Sequence, residues 1–552
     1  MLFTHYPIRS ALNNLSDWLP ITDKEAQVTV NVLTMTPESL ARTVEDFLVG
    51  SSGAVVIEDG GIIFDLAQAK YSISGEHNKC LLQLWSSERN VVRRILDAET
   101  KNETLRLAVQ RLGHSKASKL EICRERDRRT FNARRTARLA YQRKLRLMIE
   151  RRFPEFGQVQ VGRSADLARH ASAPAYASGL VRRGQSAFAV LGVNEEETQA
   201  SIDAALTFGI LWMDSCRQRH AGKMVVEGLK LFIPAGCSAI VRDRMANLHP
   251  EAAKWQLYEF NRREGEVREM DCSDRGNIDT RLVRWTDDCA ARERFAEPIR
   301  TIQELMPESE IAILSPAEIA FRCHGLEFAR ARLAHNAVTF RSTPEIVYGV
   351  GANETVLSQL NSATFRHIVR SIGEVRHAEG PKDHALWRLH PERWLESLVF
   401  LRVDVLDGRL DPAVAYSQVP AFSASDRAMV DVLTSTRDGR LAVVELKADE
   451  DVHLPLQGLD YWSRVAWHQA RGEFQRYGYF PGRELSDAPP LLFLVAPALH
   501  IHPATDTLLH YISPKIEWKL IGIDERWREN LRVIFRKNPA RARAAENQQS
   551  VA

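Results

Sequence analysis

The sequence predicts a multidomain α/β protein whose last domain is an α-β-β-β-α-β module. Three observations carry the prediction. At 552 residues, with 44% apolar and 26% charged side chains, the chain has material for about three or four soluble domains with cores of their own. Short alternating runs are mixed with helical periodicities, as in α/β architectures. Finally, Met429 to Tyr461 reads as strand, turn, strand, loop, helix, with charges set into a strand that is otherwise apolar on both faces.

Composition narrows the function classes. The net charge of +3 is unevenly spread: Arg111 to Arg152 holds 15 Lys or Arg against 4 Asp or Glu, an excess of +11 that leaves −8 elsewhere. Such concentration points to a polyanionic partner. Seven cysteines (Cys80, Cys123, Cys216, Cys237, Cys272, Cys289, Cys323) are scattered with no Cys-x-x-Cys pair. That argues against structural zinc and fits free thiols in a reducing cytoplasm. Met1 to Arg9 has no apolar run suited to a signal peptide, and no stretch approaches membrane-spanning length, so a cytoplasmic protein without a membrane partner is expected. No Walker-type loop or Rossmann fingerprint appears, so ATP-driven work would need a partner protein.

In chain order, residues 1–110 are expected to form a β-rich domain. Thr36 and Pro37 open a helix as N-cap and first helical residue. Ala54–Ile57 and Ile62–Phe64 flank Asp59-Gly60-Gly61 as a hairpin, and Lys79–Trp85 is a further strand. Residues 111–154 form a basic amphipathic segment. Tyr141, Leu145, Met148 and Ile149 recur at helical spacing, Arg134, Arg135, Arg138, Arg143, Lys144 and Arg146 populate the polar side, and Phe153-Pro154 ends the helix. A solvated helix face and phosphate-backbone contact are both open readings of those arginines.

Residues 155–300 read as a mixed α/β domain, with strands at Ala187–Leu191, Leu229–Ile233 and Trp255–Phe260 and a helix from Glu196 to Cys216. Glu259-Phe260-Asn261 loosely echoes a nuclease Glu-x-Lys, but the lysine and a paired aspartate are missing, which favours an unrelated domain over a degenerate module. Residues 301–385 are expected to be a helical connector, with a helix start at Ser315-Pro316-Ala317-Glu318. Cys323-His324 reads as a core cysteine beside an ordinary histidine. The last domain spans 386–540, and 541–552 is a polar Ala/Arg-rich tail expected to be disordered.

Within that last domain, Pro391 to Val399 forms a helix with Trp394, Leu395, Leu398 and Val399 on one face. Ala413–Phe422, Val430–Leu433 and Leu441–Lys447 supply three strands, Leu456–Tyr477 a helix and Leu491–Val495 a fourth strand. Thr505–Tyr511 and Arg526–Phe535 are expected helices around a last strand, Trp518–Ile523. Glu445 and Lys447 lie two residues apart and share a face. The turn decides whether Asp431 joins them. A two-residue loop pairs Asp431 with Leu446, whereas a three-residue loop, Arg437-Asp438-Gly439 with Gly439 left-handed, pairs Asp431 with Glu445. Two carboxylates opposite one another repel, and a divalent cation turns that cost into a use, so the three-residue loop is expected.

Asp431, then Glu445-Leu446-Lys447, then Gln457 with Tyr461 four residues on, resembles the PD-(D/E)XK nuclease superfamily over residues 386–540. The Gln-x-x-x-Tyr element resembles the RecB-like and lambda-exonuclease-type members. The run Asp426-Arg427, Asp431, Gly439-Arg440-Leu441, Glu445-Leu446-Lys447 is most similar to the C-terminal domain of branch- and mismatch-directed endonucleases. The resemblance implies a restriction-endonuclease-like α-β-β-β-α-β core and a metal-dependent nuclease, with DNA favoured over RNA. It also implies a role in DNA repair or in defence against foreign DNA. It implies that Asp431, Glu445 and the Leu446 backbone carbonyl hold Mg²⁺ or Mn²⁺, and that Lys447 orients or activates water. Gln457 and Tyr461 would orient the phosphate. Glu396 on the first helix would be an acidic partner, with Glu392 one turn earlier as its competitor. The alternatives are a nuclease-like module that binds nucleic acid without cutting, and a structural salt-bridge cluster. A protein partner or homodimer is left open.

Overall fold

The computed structural model describes residues 36–539 except 50–53, 59–60, 67–69, 77–78, 86–89, 102–103, 112–116, 125–130, 163–175, 262–263, 274–279, 287, 337–340, 350–353 and 423–428. The expected tail at 541–552 and the Asp426-Arg427 pair lie outside the described residues. Mixed α/β structure is confirmed: among the described residues, thirteen helices accompany four sheets. The chain divides into two compact units, Trp18–Ala137 and Met1–Asp17 with Arg138–Ala552.

In the 18–137 unit, helix α1 (Pro37–Leu48) opens as expected, with the Ser39 N–H donating to the Thr36 hydroxyl and Pro37 in the first turn. Seven strands follow: β1 (Val55–Glu58), β2 (Gly61–Asp65), β3 (Lys70–Glu76), β4 (Lys79–Trp85), β5 (Asn90–Lys101), β6 (Thr104–Arg111) and β7 (Ala117–Cys123). They form one sheet in the order 2-1-7-6-5-4-3. The apolar stripe of α1, including Leu40, Val44 and Phe47, joins Leu82, Leu84, Leu105, Leu107 and Leu120 in one core. Strand β7 corrects the helical expectation at the start of 111–154. Leu120 and Ile122 alternate with Lys119 and Glu121, and that period of two wins over the basic composition.

Helix α2 (Phe131–Arg152), from Arg138 onward, begins the first half of the larger unit. Strands β8 (Gln158–Gly162), β9 (Tyr176–Arg183) and β10 (Ser186–Val193) lead to helices α3 (Gln199–Asp203) and α4 (Ala205–Arg219). Strand β11 (Val225–Pro234), helix α5 (Ala239–Met245) and strands β12 (Lys254–Asn261) and β13 (Glu266–Met270) complete a sheet in the order 13-12-11-10-9-8. Neighbours pair antiparallel except β10–β11 and β11–β12, which are parallel. Tyr141, Leu145, Met148 and Ile149 of α2 are buried against one face, as their spacing predicts, while α4 covers the other.

The 301–385 stretch is not a helical connector. After β14 (Arg281–Leu282), α6 (Asp288–Arg294) and α7 (Ala296–Leu305), it forms an antiparallel meander. Its strands are β15 (Glu310–Ser315), β16 (Glu318–Cys323), β17 (Leu326–Asn336), β18 (Arg341–Tyr348) and β19 (Thr355–Val356), followed by α8 (Ser362–Val375). Ser315-Pro316-Ala317-Glu318 is a hairpin turn rather than a helix start, because Ser315 pairs with Glu318 and Pro316 withholds no ladder hydrogen bond there. Cys323 is buried in this core, and His324, at φ +45°, turns the chain into β17 and stacks on Trp394 at 4.9 Å.

The second half of the unit runs from α9 (Ala385–Arg388) and α10 (Pro391–Leu401) through β20 (Tyr416–Phe422), β21 (Met429–Ser435), β22 (Leu441–Leu446) and α11 (Leu454–Gln469). It continues with α12 (Glu473–Arg476), β23 (Leu491–Pro497), α13 (Thr505–His510), β24 (Trp518–Ile523) and β25 (Val533–Lys537). The sheet order is 14-20-21-22-23-24-25, with β22–β23 and β23–β24 parallel and the other neighbours antiparallel. Gly472, at φ +61°, breaks the single helix expected over 456–477. A helix was expected over 526–535. Instead Val533-Ile534-Phe535 forms an edge strand, in keeping with β-branched and aromatic residues.

Candidate active site

The β21–β22 hairpin sets the site. Thr436 N–H donates to the Arg440 carbonyl at 2.7 Å, and Gly439 closes a three-residue loop at φ +83°. The ladder pairs Val432 with Val444, so the next pair is Asp431 with Glu445, as the three-residue loop requires. Strand β22 is buried throughout because β21 and β23 flank it and helices cover both faces. Glu445 is therefore 0% exposed and Lys447 7% exposed.

Burial sets the electrostatics. Lys447 Nζ lies 3.1 Å from Glu445 Oε1 and 3.8 Å from the half-exposed Glu392. Burial opposes its charge, but Glu445, Glu392 and Asp431 outweigh that and hold it protonated. Burial, then the Asp431 charge, pushes the Glu445 carboxyl well above the usual carboxylate range, against the pull of Lys447. Asp431 is raised to about 6, by burial first and then by Glu396, although the Leu446 N–H donates to its Oδ2 at 3.0 Å. Glu445 Oε2 and Gln457 Oε1 are buried with no hydrogen-bond partner among the described residues. An unpartnered buried carboxylate oxygen is costly.

Helix α11 brings Gln457 and Tyr461 to this sheet face, one turn apart. The Glu445 and Asp431 carboxylates both raise the buried Tyr461 phenol, after burial itself. Gly458, a residue unfavourable inside a helix, has a packing reason. A Cβ there would meet Leu494 Cδ2 at 2.5 Å and Leu492 Cδ1 at 3.1 Å, so the helix sits hard against β23. Glu396 is buried and held by the Ser417 hydroxyl (2.7 Å), the Gln418 amide (2.5 Å) and Arg393 (3.0 Å). Its competitor Glu392 is the one in contact with Lys447. Ser417 and Gln418 escaped sequence reasoning because they come from another strand; Gln418 is held at φ +54°, which no local signal announces.

The basic helix is separate. Arg143, Lys144 and Arg146 are exposed, and Arg146 pairs with Glu150 at 2.8 Å. Arg138 is committed to a two-pronged pair with Glu197, at 2.6 and 2.7 Å. The side chains of Arg134 and Arg135 lie outside the described residues. Among the described residues, no group of three or more His, Cys, Asp or Glu side chains is gathered to hold a metal. Nor is any helix there long and apolar enough to cross a membrane.

No family model matches the chain, and no curated protein matches it. Among solved structures, the EndoMS–dsDNA2 complex matches 42% of this chain and 98% of that chain at 11% identity. The TM-score of that match is 0.15.

Proposed function

We propose that this chain is a metal-dependent nuclease of the PD-(D/E)XK type that hydrolyses phosphodiester bonds, with DNA favoured, and that residues 386–540 are its restriction-endonuclease-like core. The observation that carries the reading is Glu445. It is a fully buried carboxylate beside Asp431, with one oxygen on Lys447 and the other without a partner among the described residues. A structural salt-bridge cluster would use both oxygens. The strand order 20-21-22-23-24 with α10 and α11 supports it further.

The donors fit Mg²⁺ or Mn²⁺. Two carboxylates and one main-chain carbonyl, from Asp431, Glu445 and Leu446, suit an ion that keeps several waters, and a cation would relieve the burial of both acids. When bound, it supplies a lowered water pKa and charge neutralisation at the phosphoryl oxygens. Lys447, protonated, donates to a phosphate oxygen or to the attacking water. Gln457 and Tyr461 present an amide and a phenol from α11 to orient that phosphate, and the exposed cations of α2 supply backbone contacts.

The test is cleavage of plasmid, linear, single-stranded and branched DNA and of RNA with Mg²⁺, Mn²⁺ or EDTA. Wild type should cut in a metal-dependent way, and Lys447→Ala and Asp431→Ala should each lose activity by roughly 10²-fold or more. Binding without cutting would replace this reading by a binding module; neither binding nor cutting would leave a structural cluster.

A further inference from the structure

The two halves of the 138–552 unit repeat one design. Both run helix, three antiparallel strands, crossover helix, parallel strand, short helix, parallel strand, antiparallel edge strand, with the same sheet connectivity apart from β14, which adds a strand beside β20 in the second half. Residues anchor the equivalence. Gly209 of α4 sits over Leu229 of β11 (2.8 Å from a built Cβ), as Gly458 of α11 sits over Leu492 of β23. Leu229 pairs with Trp255, and Leu492 with Trp518. Pro234 and Pro497 end the two central strands.

The halves also face each other across a local two-fold. Leu248, after α5, bridges antiparallel to Ile512, after α13, with Ser513 N–H donating to Asn247 and His249 N–H to Tyr511. Asn247 bonds Ser463 of α11 at 2.7 Å, and the equivalent Tyr511 bonds Asp214 of α4 at 2.9 Å. One core cluster draws on both halves. Near the start of α4, Thr207 meets His453, the residue before α11, at 3.3 Å, so the two crossover helices start side by side.

Register then gives the counterparts of the site. Leu231 faces Leu191 as Leu494 faces Glu445, and Ser178 is opposite Leu191. Asp431, Glu445 and Lys447 thus correspond to Ser178, Leu191 and Val193, and Gln457 and Tyr461 to Phe208 and Trp212. All five counterparts are buried, and none is acidic or basic. Glu259, the sequence candidate, lies on β12, away from the equivalent hairpin.

We propose that the chain is a single-chain pseudodimer with one catalytic half and one catalytically silent half, so that it nicks one strand of duplex DNA per binding event. This rests on the nuclease reading above. A duplex laid across the local two-fold offers one strand to Asp431, Glu445 and Lys447, and the other to Ser178, Leu191 and Val193, none of which carries a carboxylate or an amine.

The test is supercoiled plasmid with the full-length chain at enzyme below plasmid concentration, sampled through the first turnovers. Open circles should accumulate first, with linear DNA appearing only after a lag, and the rate should be first order in enzyme. Linear product formed without a lag, or a second-order rate, overturns the inference and leaves the nuclease reading standing. So does cutting confined to single strands or RNA. No cleavage of any substrate with either metal removes both together.

Discussion

Leu191 and Glu445 occupy the same place in two copies of one sheet, each 0% exposed, yet one is apolar and the other charged. The first half shows that the fold has no need of the charges: Ser178, Leu191 and Val193 fill the position. The second half therefore carries Asp431, Glu445 and Lys447 at a cost in stability, and a stability cost without a structural return is characteristic of working sites. The sharpest way to break this comparison is to trade the residues. Lys447→Ala alone should cost about 3–5 kcal/mol, because it strands Glu445 as a buried unpaired charge. The triple change Asp431→Ser, Glu445→Leu, Lys447→Val should instead be neutral, or stabilising by about 1–4 kcal/mol, with activity gone. Denaturant midpoints measure both. A triple variant as unstable as Lys447→Ala would mean the charges hold the hairpin together.

The seam between the halves offers a second contrast. Arg244 of α5 holds Asp460 of α11 through two nitrogens, at 2.9 and 2.6 Å, while the two-fold-related positions are Leu508 and Leu211, both in the shared core. Asp460 keeps some exposure, so Asp460→Ala should cost about 2–3 kcal/mol rather than the full penalty of a buried charge. Arg244→Leu with Asp460→Leu should recover most of that loss. If the double variant falls as far as the single, the ion pair is indispensable and the apolar seam on the other side is no guide to it.

What the sequence made legible tracks the range of the interactions. The hairpin register was readable because a local loop of Arg437-Asp438-Gly439 fixes it, and the apolar stripe of α2 because helical period is local. Strand β7 was missed because basic composition masked its alternation, and the 310–356 meander because its Pro316-Ala317 turn imitates a helix start while the turn at His324-Gly325 rests on a left-handed histidine that no local signal announces. The repeat was hidden because its shared residues (Gly209 and Gly458, Trp255 and Trp518, Pro234 and Pro497) are scattered points, and only register aligns them. Likewise, the grip of Ser417 and Gln418 on Glu396 joins elements some twenty residues apart.

A cation has also moved between equivalent strands. In the first half Lys230 of β11 is buried among Phe153, Phe156, Phe188 and Tyr258 and donates to Gln256 opposite it. In the second, Phe493 takes the Lys230 position and Lys519 the Gln256 position, where Lys519 donates to Asp407. Burial works against the Asp407 charge, but hydrogen bonds from Arg409 and Lys519 win and hold its carboxyl at about 2, against 3.8 ordinarily. A depressed acid stabilises the native state above its unfolded value, and that share is lost as pH falls from about 4 to about 2. With Arg409 half-exposed, about 1–2 kcal/mol is at stake. Asp407→Asn should flatten that part of the pH–stability curve and leave the curve above pH 5 parallel to wild type; an unchanged acid limb would show that Asp407 is not its source.

The two glycines under the crossover helices give the smallest and most direct comparison. A methyl at Gly458 would meet Leu494 at 2.5 Å and Leu492 at 3.1 Å, whereas one at Gly209 would meet Leu229 alone at 2.8 Å. All three contacts are ends of leucine side chains, which move more easily than backbone. Alanine also gains about 1 kcal/mol of helix propensity over glycine, against an overpacking cost of about 1–3 kcal/mol. Gly458→Ala should therefore lose about 1 kcal/mol, and Gly209→Ala should be close to neutral. Because α11 carries Gln457 and Tyr461 on either side of that glycine, Gly458→Ala should also lower cleavage more than its stability loss accounts for, while Gly209→Ala should leave cleavage unchanged. Equal effects on cleavage would mean that α11 positions nothing that α4 does not, and the asymmetry between the halves would then reside in the hairpin alone.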